Sequence, residues 1–211
     1  MVLPTADAAL AADRREAYAR HGRIGTVVSA RALHERVPAD ADPSDAFVVP
    51  EILEAVIAAA DDGADAVIVD CMEDPAVEEA RRLVRIPVIG PGHAALCLAA
   101  QLSYRFSILY PLPQVRLIER LVEAHGFRPV LGSIRQLSCG LETIRADADA
   151  TLAALLEAAL AAVREDGAHA VVPACTLTSA LVPELAWRLR SAGCPVPVVD
   201  GPGAAMKLAE N

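Results

Sequence analysis

The strongest constraint on this chain is that part of it occurs twice. Residues 62–71 read DGADAVIVDC and residues 166–175 read DGAHAVVPAC, an offset of 104 with six of ten positions identical. Downstream, Ile86-Pro87-Val88-Ile89 precedes Gly90-Pro91-Gly92, and Val196-Pro197-Val198-Val199 leads through Asp200 to Gly201-Pro202-Gly203. Each copy runs helix, Asp-Gly, strand, Cys, helix, strand, Gly-Pro-Gly, helix. Repetition of a whole supersecondary unit predicts two related halves with approximate two-fold symmetry.

Short β-type apolar runs alternate with longer helical ones, which predicts an α/β fold with mainly parallel sheets. The strands are expected at Met1–Leu3, Ile24–Val28, Ala66–Val69, Pro87–Ile89, Phe106–Leu109, Val130–Ile134, Ala170–Val172 and Pro197–Val199. Helices are expected at Ala6–Arg20, Pro50–Asp61, Asp74–Val84, Ala94–Leu102, Gln114–His125, Ala148–Asp166, Ser179–Ser191 and Ala204–Ala209. The Ala/Asp/Pro-rich stretch Pro38–Pro43 reads as a loop. Residues 1–95 with 196–211 are expected to form one lobe and residues 96–195 the other, with the active site in the cleft between them.

In an open α/β sheet, ligands bind beyond the carboxyl ends of the strands. Cys71 and Cys175 end equivalent strands of the repeat, each just before an expected helix. If the halves face each other, the two sulfurs do too. A helix N-terminus beside each would lower the thiol pKa. A thiolate and a thiol on opposite faces of one carbon next to a carbonyl can remove a proton from one side and return one on the other. The backbone N–H groups just after each Cys would hold the enolate oxygen. A single strand-end cysteine is more simply a small buried residue. Two at matching positions of a repeat point to function.

Other chemistries find less support. A net charge of −9 argues against nucleic acid or an anionic membrane surface as partner. The longest apolar stretch, Ala150–Val163, is interrupted by Glu157 and too short to span a bilayer. The N-terminus lacks the basic start of an export signal, so a cytoplasmic location with reduced thiols is expected. Five cysteines with no C-x-x-C pair, and five scattered histidines, suggest neither a disulfide framework nor a metal site. The one lysine, Lys207, stands four residues from the end, a poor place for a pyridoxal phosphate Schiff base. The Gly-Pro-Gly turns match no nucleotide-binding pattern. No cofactor is expected.

The runs Asp70-Cys71-Met72-Glu73-Asp74-Pro75, Ile86-Pro87-Val88-Ile89-Gly90 and Pro197-Val198-Val199-Asp200-Gly201 resemble the aspartate/glutamate racemase superfamily, and within it the hydantoin and allantoin racemase branch. Ala174-Cys175-Thr176 is similar to the second cysteine motif of the superfamily. The resemblance extends from about Ile24 to the end. It implies a two-lobed, pseudo-symmetric α/β fold, Cys71 and Cys175 as the acid/base pair, and no metal or pyridoxal phosphate; a homo-oligomer acting on a small molecule is expected. It further implies substrate contacts from Thr176 and from the turn that begins at Tyr110. Met72, Thr5 and His93 complete the candidate substrate-binding set. The expected activity is racemisation or epimerisation at a carbon alpha to a carbonyl in a small amino-acid-derived or hydantoin-like substrate. The alternatives are a maleate-type cis–trans isomerase, a decarboxylase, or a ligand-binding protein without catalysis.

The remaining polar and aromatic residues have plainer readings. Glu73 and Asp74 read as caps of the next helix. Asp70 points away from the cleft if the strand alternates. His93 is a site residue or a solvated helix-start histidine, and Tyr110 a substrate contact or rim packing. Cys97 reads as core, Cys139 and Cys194 as incidental, and Trp187 as part of a core face with Leu181, Leu185 and Leu189.

Overall fold

The Asp-Gly pairs of the repeat are helix stops. Asp62 and Asp166 end the helices α2 (Val49–Asp61) and α7 (Ala148–Glu165), and Gly63 and Gly167 come next with φ of +86° and +66°. A residue in this left-handed conformation reverses the chain after a helix, and glycine adopts it without penalty. In each copy the chain then enters a parallel strand. The computed structural model describes residues 1–34, 37–38 and 41–211. Ala39 and Asp40, in the expected Pro38–Pro43 loop, lie outside the described residues.

The chain divides into two compact units, Met1–Ala94 with Pro202–Asn211, and Ala95–Gly201. In the first, β1 (Val2–Leu3) pairs in parallel with β2 (Arg31–Ala32), and β3 (Val67–Ile68) with β4 (Val88–Ile89). A bridge between Val2 and Val69 joins the pairs, giving the order β2-β1-β3-β4. Helix α1 (Ala8–Ala19) is capped by the Asp7 side chain, which accepts the Leu10 N–H at 2.9 Å. Ile52, Val56, Val67, Val69, Val77, Ala80 and Val88 bring α2, α3 (Val77–Leu83) and the strands into one core.

In the second unit, β5 (Phe106–Tyr110) lies between β6 (Leu131–Gln136) and β7 (Ala170–Pro173), all parallel. Its five residues are all buried, as a central strand covered on both faces requires. Helix α7 starts at the Asp147 cap, whose carboxylate accepts the Ala150 N–H at 2.9 Å. It packs Leu152, Leu155, Ala159 and Ala162 against Leu109, Val171, Leu185 and Leu189. The remaining helices are α4 (Pro91–Leu102), α5 (Arg116–Ala124), α6 (Leu141–Ala146), α8 (Val182–Ser191) and α9 (Gly201–Ala209).

Several expectations need correction. No strand forms at Ile24–Val28, and Ile24 and Val27 are almost fully exposed. The short β1 pairs instead with the segment just after, where the Arg31 N–H donates to the Met1 carbonyl at 3.0 Å. The stretch 196–201 groups with the second unit, because the Val171 N–H donates to Pro197 O at 3.0 Å and the Val199 N–H to Val171 O at 2.9 Å. The expected strand there is a single bridge between Val171 and Val198. Trp187 is 61% exposed: Leu185 and Leu189, one turn apart, take the buried face of α8, and Trp187 falls on the other side. Cys97 is also exposed, since Ala94, Ala95, Leu96 and Ala99 fill the buried side of α4. Cys194, read as incidental, is buried in the second core. Among the described residues, no helix is long and apolar enough to cross a membrane.

Candidate active site

Cys71 lies just past β3 and begins a tight turn. Its N–H donates to Val69 O at 2.8 Å, and its carbonyl accepts the Asp74 N–H at 3.1 Å. Cys175 lies past β7 in the same way. Its carbonyl accepts the Thr178 N–H at 3.0 Å and the Thr178 hydroxyl at 2.7 Å. Asp74 and Thr178 are themselves separated by the repeat offset, so the duplicated sequence yields a duplicated turn. Both cysteines are half-buried, and neither belongs to a disulfide.

The two turns lead into different structures. Cys175 passes directly into a 3₁₀ turn, Thr176–Leu181, continuous with α8. After Cys71 the helix starts only at Val77, later than the sequence suggests, because Asp74 and Ala76 take left-handed conformations with φ of +53° and +60°. The expected lowering of the Cys71 pKa by an adjacent helix N-terminus therefore does not hold. Burial pushes this thiol well above its ordinary range, and the charges of Glu73, Asp74 and Asp70 push it further. The Glu73 backbone N–H at the sulfur opposes them. Cys71 rests as a thiol.

Asp74 does not cap its own helix. Its carboxylate reaches the start of α4, where it accepts the Gly92 N–H at 2.8 Å and the His93 N–H at 2.6 Å. Burial raises its pKa to about 7 in spite of these two donors and of Arg81. Gly90 makes the approach possible, since a Cβ there would stand 2.1 Å from Asp74 Cγ. In the second unit Thr178, at the equivalent position, turns its hydroxyl to its own turn, and the next residue, Ser179, donates its hydroxyl to the Asp200 carboxylate at 2.9 Å.

Asp70 turns from Cys71 into the interior. It accepts Arg14 Nε at 2.8 Å and the Tyr18 hydroxyl at 2.8 Å, all three residues being buried. Arg14 and Tyr18, four residues apart, share one face of α1, a spacing that could have revealed them. A further duplicated contact also escaped the sequence reading. Arg31 pairs with Asp62, and Arg135 pairs with Asp166 through Nε at 2.6 Å, both partners again 104 residues apart.

The remaining candidates occupy strand ends, turns and a helix start. Met72 is buried in the turn after Cys71, and His93 is half-buried, with its backbone on Asp74. Thr5 is half-buried beyond β1, its carbonyl accepting the Leu33 N–H at 2.9 Å. Thr176 is buried at the start of the 3₁₀ turn. Tyr110 ends β5 with its side chain buried, and its carbonyl accepts the Leu137 N–H at 2.9 Å. A cavity of about 1210 Å³ in the first unit is lined by Met1, Val27, Asp62 and Ile68 among others, and Cys71 is not part of its wall. Among the described residues no cluster of His, Cys, Asp or Glu has the arrangement of a metal site.

A family model described as Asp/Glu/Hydantoin racemase matches residues 9–209. The hydantoin racemase of Pseudomonas sp. (strain NS671) is 30% identical over 164 residues, 77% of this chain and 64% of that protein. The hydantoin racemase of Rhizobium meliloti is 34% identical over 167 residues, 79% of this chain and 67% of that protein. The match thus spans about two thirds of the length of these relatives. Among solved structures, an allantoin racemase from Klebsiella pneumoniae superposes with a TM-score of 0.88 at 26% identity, covering 99% of this chain and 84% of that one. With the match covering nearly its whole length, the chain belongs to the Asp/Glu/hydantoin racemase family.

Proposed function

We propose that this protein is a cofactor-independent racemase of a hydantoin-like or related amino-acid-derived substrate, with Cys71 and Cys175 as its acid/base pair. The observation that carries the reading is the duplicated turn: two thiols stand just past equivalent strands, each with its carbonyl accepting the N–H three residues on. The hydantoin and allantoin racemases among its relatives support the substrate class.

The carbon to be inverted lies next to a carbonyl. One cysteine, as thiolate, takes its proton, and the electron pair passes into an enolate. The other, as thiol, gives a proton to the opposite face of the same carbon, and the pair ends with its protonation states exchanged. The backbone N–H groups of Met72 and Thr176 supply donors to the enolate oxygen. Cys71, kept as a thiol by its surroundings, is the acid in one direction of the reaction and, once deprotonated, the base in the other.

Racemisation in D₂O tests this, with 5-substituted hydantoins, allantoin and free amino acids followed by NMR and polarimetry. Deuterium is expected in the inverted enantiomer before it appears in the starting one. Cys71→Ser and Cys175→Ser should each lower kcat on the order of 10²–10⁴-fold. Loss of CO₂, isomerisation of a double bond, or binding without proton exchange would replace the proposal with a decarboxylase, a cis–trans isomerase or a non-catalytic binder.

A further inference from the structure

We propose that Asp74 is the positioning residue of Cys71, its carboxylate fastening the turn that carries the thiol to the amino end of α4. The inference rests on the reading of Cys71 as a proton-transfer residue and adds to it a second residue that acts through the first.

Three features of the backbone carry it. The Cys71–Asp74 turn is closed by the Asp74 N–H on the Cys71 carbonyl, so the two residues move together. The Asp74 side chain leaves the turn to accept two backbone N–H groups from another element, Gly92 and His93. Asp74 and Ala76 are the only non-glycine residues with positive φ among the described residues. Strain of this kind persists where the surroundings over-determine it, and it concentrates at functional turns. The missing Cβ of Gly90 is the fourth and independent sign. The carboxyl carbon occupies the space a side chain there would fill.

The consequence for Cys71 is both geometric and electrostatic. The Glu73 N–H that meets the sulfur belongs to the residue just before Asp74, so any shift of the anchor moves the donor away from the thiol. The charged groups around the sulfur are Glu73, Asp74 and Asp70, and those around the Asp74 carboxylate are Arg81 on α3 and Glu73, while His93 meets it through its backbone N–H. Burial is the main cause that keeps the sulfur protonated, and the Asp74 charge adds to it.

The test is alkylation of Cys71 by iodoacetamide across pH, resolved at the peptide level, beside steady-state kinetics on a 5-substituted hydantoin. The variants are Asp74→Asn, Gly90→Ala and the double variant. Asparagine keeps the size of Asp74 and tolerates its left-handed backbone, but it removes the charge and replaces one of the two acceptor oxygens with an N–H donor. Asp74→Asn should move the Cys71 alkylation midpoint down by about one pH unit. It should lower kcat on the order of tenfold or more, with KM nearly unchanged. Gly90→Ala, which keeps the charge but displaces it, should lower kcat as well, and the double variant should cost less than the two effects combined. An unmoved midpoint in Asp74→Asn, or a rise in KM at constant kcat, overturns the proposal. So does a faster alkylation at every pH without a shift in midpoint, the mark of simple loosening. If the wild type exchanges no α-proton, the proposed function fails, while the alkylation midpoint still decides the part played by Asp74.

Discussion

Gly90 and Asp74 fit as a lock fits a bolt, with only 2.1 Å between the Asp74 Cγ and the place where a Gly90 Cβ would stand. Gly90→Ala should therefore destabilise the protein by about 1–3 kcal/mol through overpacking. The same substitution in an Asp74→Gly background, where the left-handed conformation is free of strain, should cost less than half as much. Urea denaturation of the four proteins closes the cycle, and equal costs in both backgrounds would show that the two residues do not share this space.

Asp74 also predicts a pH dependence. Its folded pKa of about 7 lies above the ordinary 3.8, so the folded protein holds a proton that the unfolded chain releases. The stability this contributes is complete below pH 3.8 and is lost as pH rises to about 7. Melting temperatures of wild type and Asp74→Asn should converge or cross within that window and keep a constant difference above it. A difference that is flat across the whole window would contradict the assignment.

The Arg14–Asp70 pair is buried, with Tyr18 as a third partner. Arg14→Met leaves a carboxylate inside without its counter-charge and should cost about 3–5 kcal/mol. Arg31→Ala, which breaks an exposed pair with Asp62, should cost only about 0–1 kcal/mol. Chemical denaturation of the two variants measures the contrast.

On α8, Trp187→Gln should change stability by no more than about 0.5 kcal/mol, since the ring lies largely in solvent. Leu189→Ala, in the core of the second unit, should cost about 2–5 kcal/mol. Thermal melts of both variants decide whether the exposed tryptophan or the buried leucine carries the packing.

The parts of the fold that the sequence announced were those with a local physical cause. Alternating apolar runs marked β3 to β7, and Asp-Gly marked the ends of α2 and α7. The repeat marked Cys71 and Cys175 as equivalent. What stayed hidden depends on distant partners. Ile24–Val28 has the composition of a strand, yet the two-residue β1 pairs with Arg31–Ala32 instead. Trp187 reads as core by residue type, but Leu185 and Leu189 fill that face. Asp74 sits where a cap of the next helix belongs, and its true acceptor role lies eighteen residues downstream, at Gly92. The arginines Arg31 and Arg135 stand at the repeat offset too. They escaped notice because the stretches around them have diverged.

The opposite polarity of the two cysteine turns has a kinetic consequence. In the first unit the residue that closes the Cys turn, Asp74, is an acceptor of N–H groups from α4; in the second the residue that closes it, Thr178, is a donor, its hydroxyl on the Cys175 carbonyl. On the proposed mechanism the two thiols are then chemically unequal, although two enantiomers have an equilibrium constant of unity. The Haldane relation forces kcat/KM to be the same in both directions. The inequality of the thiols can therefore appear only in kcat and KM taken separately, one enantiomer binding more tightly and turning over more slowly than its mirror image.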